Sequence, residues 1–508
     1  MKVTPESAPA EPVPVSQLGR VHFTGIGGAG MSGIARIMLS RGVAVSGSDA
    51  RETPLTAELA SLGADVHAGH DAGNLGGLGA GDTLVVSTAI AGDNPELAEA
   101  RRRGLRILHR GAALASVTIG RRVAAVAGTH GKTTTAAMLT TILQQCGAGP
   151  GFLIGGTLAG TGLGAADGTG EAFVAEADES DRSFLLLAPD AAIVTNIEAD
   201  HLDNYGSLAD VEASFAAFSR RIRPGGVLIT CADDPGARRL ASSAAREGLP
   251  VRLRSYGTTP DGAAPGPAPG AGPDYAVGGL AAGGMRISFD LHPPQGRGGP
   301  ETVRVELAVP GRHNALNAAA ALAAAAELGI PAGPAAAALA AFRGTGRRME
   351  HKGEADGVRV LDSYAHHPTE VAADLRTARD IVQGGGPGAS GAGPAGGGRV
   401  IAVFQPHLYS RTRFFAAEFG AALGLADEAL VLDVYAAREE PEPGVTGQLV
   451  ADQVPGGRAS YLPGSGAVPD AVAAIAKPGD LVLTMGAGDV TALGPPILAA
   501  LRARGGPG

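Results

Sequence analysis

Residues 123–147 read VAAVAGTHGKTTTAAMLTTILQQCG. The small and β-branched run over 123–127 predicts a buried strand. Beyond it, Met138, Leu139, Ile142 and Leu143 fall on one face of a helix over 133–146, and Gly147 supplies its left-handed stop. Between the two lies Gly128-Thr129-His130-Gly131-Lys132-Thr133-Thr134. A Gly-rich turn leading from a strand into a helix N-terminus has the chemistry of a phosphate loop. Its amides wrap phosphate oxygens, Lys132 neutralises the β/γ oxygens, and the Thr133 hydroxyl reaches Mg²⁺. The strict pattern asks for one more Gly, where Val126 stands, so this is a shorter variant. The chain has only four lysines, Lys2, Lys132, Lys352 and Lys477, and uses arginine nearly everywhere else. Retaining a compact ammonium at this position suits a phosphate cradle.

Outward from this unit, short apolar runs near residues 21–24, 83–87, 173–175, 193–195, 400–404, 430–434 and 481–485 alternate with helix-like segments. Such alternation predicts parallel sheets covered by helices. An alanine-rich helix is expected over 317–328, ended by Gly329 and Pro331. At 508 residues the chain suggests roughly three domains. We place them at 19–120, 121–342 and 343–508, with a disordered arm over 1–18. Two stretches, 258–273 and 384–398, are nearly all Gly, Ala, Pro and Ser and read as surface insertions.

Further motifs follow other strands. Gly25-Ile-Gly27-Gly28-Ala-Gly30 follows the strand at 21–24 and opens a helix, the setting in which a Gly-rich turn holds a pyrophosphate, and Asp49 ends the next strand where a ribose-binding acid sits. Alone, this pair also fits a dinucleotide-dependent oxidoreductase using NAD. Glu176-Ala-Asp-Glu-Ser-Asp181 and Asn196-Ile-Glu-Ala-Asp-His201-Leu-Asp203 follow strands of the central module. Because the crevice of a parallel sheet lies beyond its carboxyl ends, Glu176 and His201 are expected near the phosphate loop, where they could hold a second divalent ion. In the last module, Asp362-Ser-Tyr364-Ala-His366-His367-Pro-Thr-Glu370 and Gln405-Pro-His407-Leu-Tyr-Ser-Arg411-Thr-Arg413 bring His, Tyr and Arg to strand ends. That grouping suits an amino acid, with guanidinium for its carboxylate and polar groups for its amine.

Composition narrows the class. Lys plus Arg total 41 against 50 Asp plus Glu, a net charge of −9, which opposes a nucleic-acid or anionic-membrane surface as main partner. No apolar stretch approaches the roughly 18 residues of a transmembrane helix, and the first residues lack the apolar run of an export signal. Two cysteines, Cys146 and Cys231, allow neither a disulfide framework nor a cysteine-based zinc site. A cytoplasmic enzyme or binding protein is expected.

Taken together, GIGGAGMSG (25–33), GTHGKTT (128–134), EADESD (176–181), NIEADHLD (196–203), GRHNALNA (311–318), DSYAHHPTE (362–370), the run from Gln405 to Thr412 and MGAGD (485–489) resemble the Mur ligase family. The resemblance implies a three-domain α/β architecture: a Rossmann-like N-terminal domain for the UDP-sugar, a central P-loop ATPase domain, and a C-terminal Rossmann-like domain admitting the amino acid. It assigns the first glycine loop to UDP rather than NAD. The implied reaction belongs to peptidoglycan precursor synthesis. ATP phosphorylates the lactyl carboxylate of UDP-N-acetylmuramate, and the amine of L-alanine displaces phosphate. Lys132, Glu176 and His201 are then catalytic, with Thr133, Glu176 and His201 holding Mg²⁺. Asn314 and Arg348 line the nucleotide, and His70, Ser87 and His109 the UDP-sugar. Siblings adding later amino acids use a carbamylated lysine in the central domain. No lysine lies between Lys132 and Lys352, which favours the alanine-adding member over those siblings and leaves a peptide-recycling relative as alternative. Ser363, Ala365 and Leu408 depart from the family pattern (Asp, Gly and Arg), leaving Arg411 and Arg413 for the amino-acid carboxylate.

Overall fold

A computed structural model describes residues 12–259, 272–294, 302–384, 397–437 and 439–504. Most of the two Gly/Pro-rich insertions lies outside them. Three sheets organise the chain.

The first sheet contains β1 (Val21–Thr24), β2 (Val45–Asp49), β3 (Asp65–Ala68), β4 (Thr83–Val86) and β5 (Arg106–His109), in the order β3-β2-β1-β4-β5. All its pairings are parallel. The order reverses direction between β1 and β4, which opens a crevice at the carboxyl end of β1 where the glycine loop begins.

In the second sheet, β6 (Arg122–Ala127), β7 (Gly151–Leu153), β8 (Ala165–Ala166), β9 (Ala172–Glu176), β10 (Ala191–Val194), β11 (Val227–Cys231) and β12 (Arg252–Thr258) run in the order β12-β11-β10-β6-β9-β7-β8. Only the β7/β8 pair within this series is antiparallel. Strands β13 (Tyr275–Gly283), β14 (Arg286–His292) and β15 (Val303–Leu307) continue it past β12. These three were not expected, although β14 and β15 alternate buried with more exposed residues; glycines interrupt the pattern only in β13. The strand β6 lies between β10 and β9, parallel to both. Topology therefore places the phosphate loop between the two acidic loops.

The third sheet holds β16 (Glu350–Ala355), β17 (Val358–Ser363), β18 (Val400–Phe404), β19 (Glu428–Leu432), β20 (Ala459–Leu462) and β21 (Leu481–Met485), ordered β16-β17-β21-β18-β19-β20. Apart from the antiparallel β16/β17 edge it is parallel. The loops after β17, β21 and β18 are consequently neighbours. The chain forms two compact units, 1–278 with 291–303 and 316–341, and 279–290 with 304–315 and 342–508.

Two expectations are corrected. The alanine-rich helix starts at Arg312, not 317, and runs Arg312–Glu327, so the GRHNALNA string forms its first turns. The arm expected to be disordered over 1–18 has entered the fold before Leu18. A 3-10 turn forms at Val15–Gln17, Val13 and Val15 pack on the first core, and Leu18 is fully buried. Apolar residues spaced between prolines gain burial there at reduced entropic cost. Leu18→Ala is expected to lower stability by about 2–5 kcal/mol, read as a lower urea midpoint of the first unfolding transition.

Candidate active site

The glycine loop is held by its own chain. Gly25 takes φ 81°, a left-handed value, and the amides of Gly25 and Ile26 donate to Ser48 O at 2.8 and 3.0 Å. The amide of Gly27 donates to Asp49 Oδ2 at 2.9 Å. One carboxylate oxygen of Asp49 is therefore committed to shaping the turn, where a ribose-binding role had been expected. Gly28 precedes the helix Ala29–Ser40 and provides no side-chain cap, and no acid lies in the first turn. The helix N-terminus thus remains available to an anion.

Beneath this loop sits Glu96, wholly buried. Its Oε2 accepts from Thr24 and Ser48 hydroxyls, each at 2.7 Å, and its Oε1 from Asn74 at 2.8 Å. Burial alone would raise its carboxyl, but the His22 ring 3.4 Å away and hydrogen bonds from Asn74, Thr24 and Ser48 bring it down to about 2. The Ser48 proton is spent on Glu96, so at the 2.8 Å contact between Ser48 Oγ and His70 Nδ1 the ring must donate. A neutral His70 consequently carries its proton on Nδ1. Ser87 lies half-buried just past β4.

His109 does not reach the crevice. Its side chain is fully buried, its Nδ1 accepts from the Gly111 amide at 3.2 Å, and its Nε2 lies 3.7 Å from Asp181. Burial lowers it to about 4, so the ring is neutral at pH 7. The expected sugar contact is a helix cap instead.

At the phosphate loop, Gly128 and Gly131 adopt φ 131° and 79°, and a Cβ at either would collide with Thr195 or Asn317. The His130 amide donates to Asn196 Oδ1 at 2.7 Å, and the Thr195 hydroxyl to His130 O at 2.6 Å. Thr129 Oγ1 accepts the Glu198 amide at 2.9 Å. Lys132 Nζ donates to Gly128 O at 2.6 Å, Thr129 O at 3.2 Å and Glu179 Oε1 at 2.8 Å. Thr133 Oγ1 donates to Glu176 Oε1 at 3.0 Å, and Glu176 Oε2 accepts the Gly155 amide. Thr134 is buried one residue further into the helix.

His201 lies on the other flank, with Nε2 3.9 Å from Glu179 Oε1 and 3.6 Å from Asp200 Oδ2. The convergence expected of Glu176 and His201 is thus divided: Glu176 meets Thr133, whereas His201 meets Glu179, the partner of Lys132. Burial pulls the Lys132 ammonium down, but Glu179 and Asp178 outweigh that and hold it raised. Burial, with Asp178 beside it, raises the Glu179 carboxyl despite Lys132. Its Oε2 is buried with no hydrogen-bond partner among the described residues.

Sequence reading missed Glu179, one of four acids in a single string, and Asn317, whose Oδ1 accepts from Thr135 at 3.2 Å beside Gly131. The signal for Asn317 was present. It stands three residues after Asn314 in a helix that starts earlier than expected, on nearly the same face.

The C-terminal unit gathers its own cluster. Tyr364 lies under two guanidinium groups, Arg347 and Arg348, at 5.0 and 5.2 Å from the ring centroid. Arg348 pairs with Glu370 at 3.3 Å, and Glu370 also accepts the His366 amide at 3.1 Å. The His366 ring stands edge-on to Tyr364 and to His407, and His407 stacks on Tyr435. Arg411 is buried with Nη1 3.4 Å from His407 Nδ1. His367 caps the helix Pro368–Val382, accepting from the Thr369 amide. Arg413 is half-exposed and paired with Glu442 at 2.9 Å, apart from this cluster. Asn314 Nδ2 donates to Pro310 O at 2.6 Å within the same unit. The departures Ser363, Ala365 and Leu408 are all buried, and Ser363 Oγ donates to Asp374.

A phosphate loop between acidic loops on a parallel sheet, in a chain that carries two further α/β modules, defines a nucleotide-phosphate-using α/β enzyme. Residues 20–122 match the catalytic domain described for the Mur ligase family, 126–325 the Mur ligase middle domain, and 347–488 the Mur ligase glutamate ligase domain. The chain belongs to the Mur ligase family. It is 53% identical to a UDP-N-acetylmuramate–L-alanine ligase of Thermobifida fusca, over 97% of this chain and 99% of that one. A relative of the same name from Mycobacterium avium is 49% identical over 100% and 99%. Among solved structures, the UDP-N-acetylmuramate-alanine ligase of Thermotoga maritima superposes with TM-score 0.74 at 27% identity, covering 95% and 99% of the two chains. A murein peptide ligase of Psychrobacter arcticus gives 0.67 at 26%, covering 95% and 99%.

The Glu96 network predicts a pH signature. A carboxyl held at about 2 instead of its ordinary 4.5 contributes stability that is full above pH 4.5 and lost as pH falls through about 2. Glu96→Gln should cost about 1–3 kcal/mol at pH 7 in urea unfolding, with the difference from wild type shrinking below pH 4.5.

Proposed function

We propose that this chain is an ATP-dependent ligase that joins L-alanine to the lactyl carboxylate of UDP-N-acetylmuramate, in cytoplasmic peptidoglycan precursor synthesis. The observation that carries this reading is identity of about one half, over nearly the whole chain, to enzymes named for that reaction. No described helix is long and apolar enough to cross a membrane.

Lys132 and the loop amides receive the ATP phosphates, with Gly128, Thr129, His130, Gly131, Thr133 and Thr134 forming the cradle. Phosphoryl transfer asks the protein mainly for positioning and charge stabilisation. Lys132 exchanges Glu179 for phosphate oxygens, so its charge is delivered from a preformed position. Thr133 Oγ1 and Glu176 Oε1, 3.0 Å apart, are hard oxygen donors that would hold Mg²⁺, with His201 as a further candidate ligand, and the ion would supply charge neutralisation to the ATP phosphates. Gly25, Gly27, Gly28 and Gly30 receive the pyrophosphate of the UDP-sugar, with His70 and Ser87 at the rim. Tyr364, His366, His407 and Arg411 receive L-alanine, and His367 orders the helix beside them. Asn314 and Arg348 serve the nucleotide. The acyl phosphate forms when a carboxylate oxygen attacks the γ-phosphorus and ADP leaves. The amine of L-alanine then attacks the acyl carbon, and phosphate leaves with that oxygen.

Phosphate release from ATP should require both UDP-N-acetylmuramate and L-alanine. Release only with an L-alanyl peptide would move the chain to the peptide-recycling class. Lys132→Ala should reduce turnover at least about a hundredfold while the UDP-sugar dissociation constant stays within about threefold. Retained turnover would refute the role of the loop.

A further inference from the structure

The acidic string 176–181 and the glycine loop are joined by a residue that neither motif contains. Arg110 is the first residue of the helix Arg110–Thr118, directly after β5. Its Nε donates to Asp181 Oδ2 at 3.1 Å, and its Nη2 to Asp178 Oδ2 at 2.6 Å and Asp181 Oδ2 at 2.7 Å. These bonds fix the plane of the guanidinium. Burial disfavours the charge, but Asp178 and Asp181 outweigh it, so Arg110 remains cationic and Asp178 is correspondingly lowered.

The third nitrogen is differently placed. Nη1 lies 3.5 Å from the position a Cβ on Gly30 would occupy, over the first turn of the helix Ala29–Ser40. Among the described residues Nη1 has no hydrogen-bond partner, and it is open to solvent. A side-on clamp through Nε and Nη2 leaves Nη1 open to solvent, where its water can be exchanged for an anion. Here one amino group, with two N–H donors, is turned away from both and faces an uncapped helix N-terminus. Amides and a fixed guanidinium meeting over a glycine loop form an oxyanion cradle.

We infer that Arg110 is a substrate-binding residue whose Nη1 takes an oxyanion of the UDP-sugar, while its other two nitrogens anchor it to the acidic loop beside Lys132. The inference rests on the assignment of the glycine loop to the UDP-sugar. The guanidinium lies within ordinary van der Waals reach of Gly30, so Nη1 and the first turn of that helix border the same space. Two groups of UDP-N-acetylmuramate offer the chemistry, the pyrophosphate and the lactyl carboxylate. Either contact would place one cation between the sugar substrate and the acids that face the phosphate loop.

Calorimetric titration of wild type, Arg110→Gln and Asp181→Asn with UDP, UDP-N-acetylglucosamine and UDP-N-acetylmuramate tests this, with a non-hydrolysable ATP analogue as control. Arg110→Gln should weaken binding about tenfold or more. Weakening of all three UDP ligands assigns the contact to the pyrophosphate. Weakening of UDP-N-acetylmuramate alone assigns it to the carboxylate, which the other two lack. Asp181→Asn removes an anchor without touching Nη1 and should leave UDP affinity within about threefold. Unchanged affinities in Arg110→Gln would overturn the inference, as would equal losses in Asp181→Asn or for the ATP analogue, which would mark a purely structural clamp. Failure of wild type to bind any UDP ligand would overturn the underlying assignment, and the inference with it.

Discussion

The arrangement of the central site depends on β6 pairing in parallel with β10 on one side and β9 on the other. Parallel neighbours end at the same edge of a sheet, so the loops that follow them must share that edge. The phosphate loop is thereby held between two acidic loops, at a place where Lys132 has little access to water. A cation there needs fixed partners. Two carbonyl oxygens of its own loop and the carboxylate of Glu179 provide them. An isolated buried ion pair of this kind costs about as much in desolvation as it gains in attraction. Its value is functional: the ammonium is already ordered and already charged where phosphate oxygens arrive.

The same constraint recurs in the other sheets with different chemistry. In the first, the loop after β1 is shaped from below by Ser48 and Asp49, and the tips of β1 and β2 are tied together through Glu96. A carboxylate kept ionised in a buried place is stabilised there by donors rather than by an opposite charge. In the third, loops from β17, β18 and β21 meet because those strands are adjacent, and Gln405 Nε2, after β18, donates to Asp489 Oδ1, after β21, at 2.8 Å.

Much of this is legible in the amino-acid sequence. Strand, glycine turn and helix succeed one another in residues 123–147, and their periodicities change from strand to helix at the turn, so the phosphate loop and its position could be read directly. The order of acidic strings after later strands likewise placed Glu176 and His201 at the same edge. What sequence could not separate was which acid in EADESD faces inward. Asp178, Glu179 and Asp181 are chemically alike, and only the turn geometry sends Glu179 to Lys132 while Asp178 and Asp181 go to Arg110. His109 and Arg110 illustrate the same difficulty at adjacent positions. The histidine looked like a ligand and is a buried cap, whereas the arginine beside it extends over the glycine loop. Glycines dilute the alternation of β13, whereas β14 and β15 carry a readable alternation, and the first turn of the helix Arg312–Glu327 is polar and so hides its start.

The central claim is that the lactyl carboxylate itself becomes phosphorylated at the Lys132 loop and is then captured by the amine. UDP-N-acetylmuramate carrying ¹⁸O in both oxygens of that carboxylate, turned over with ATP and L-alanine, tests it through the ³¹P signal and mass of the released phosphate. Attack of a carboxylate oxygen on the γ-phosphorus predicts one labelled oxygen in each phosphate and the other retained in the amide. Unlabelled phosphate, formed with the amide product, would contradict the account.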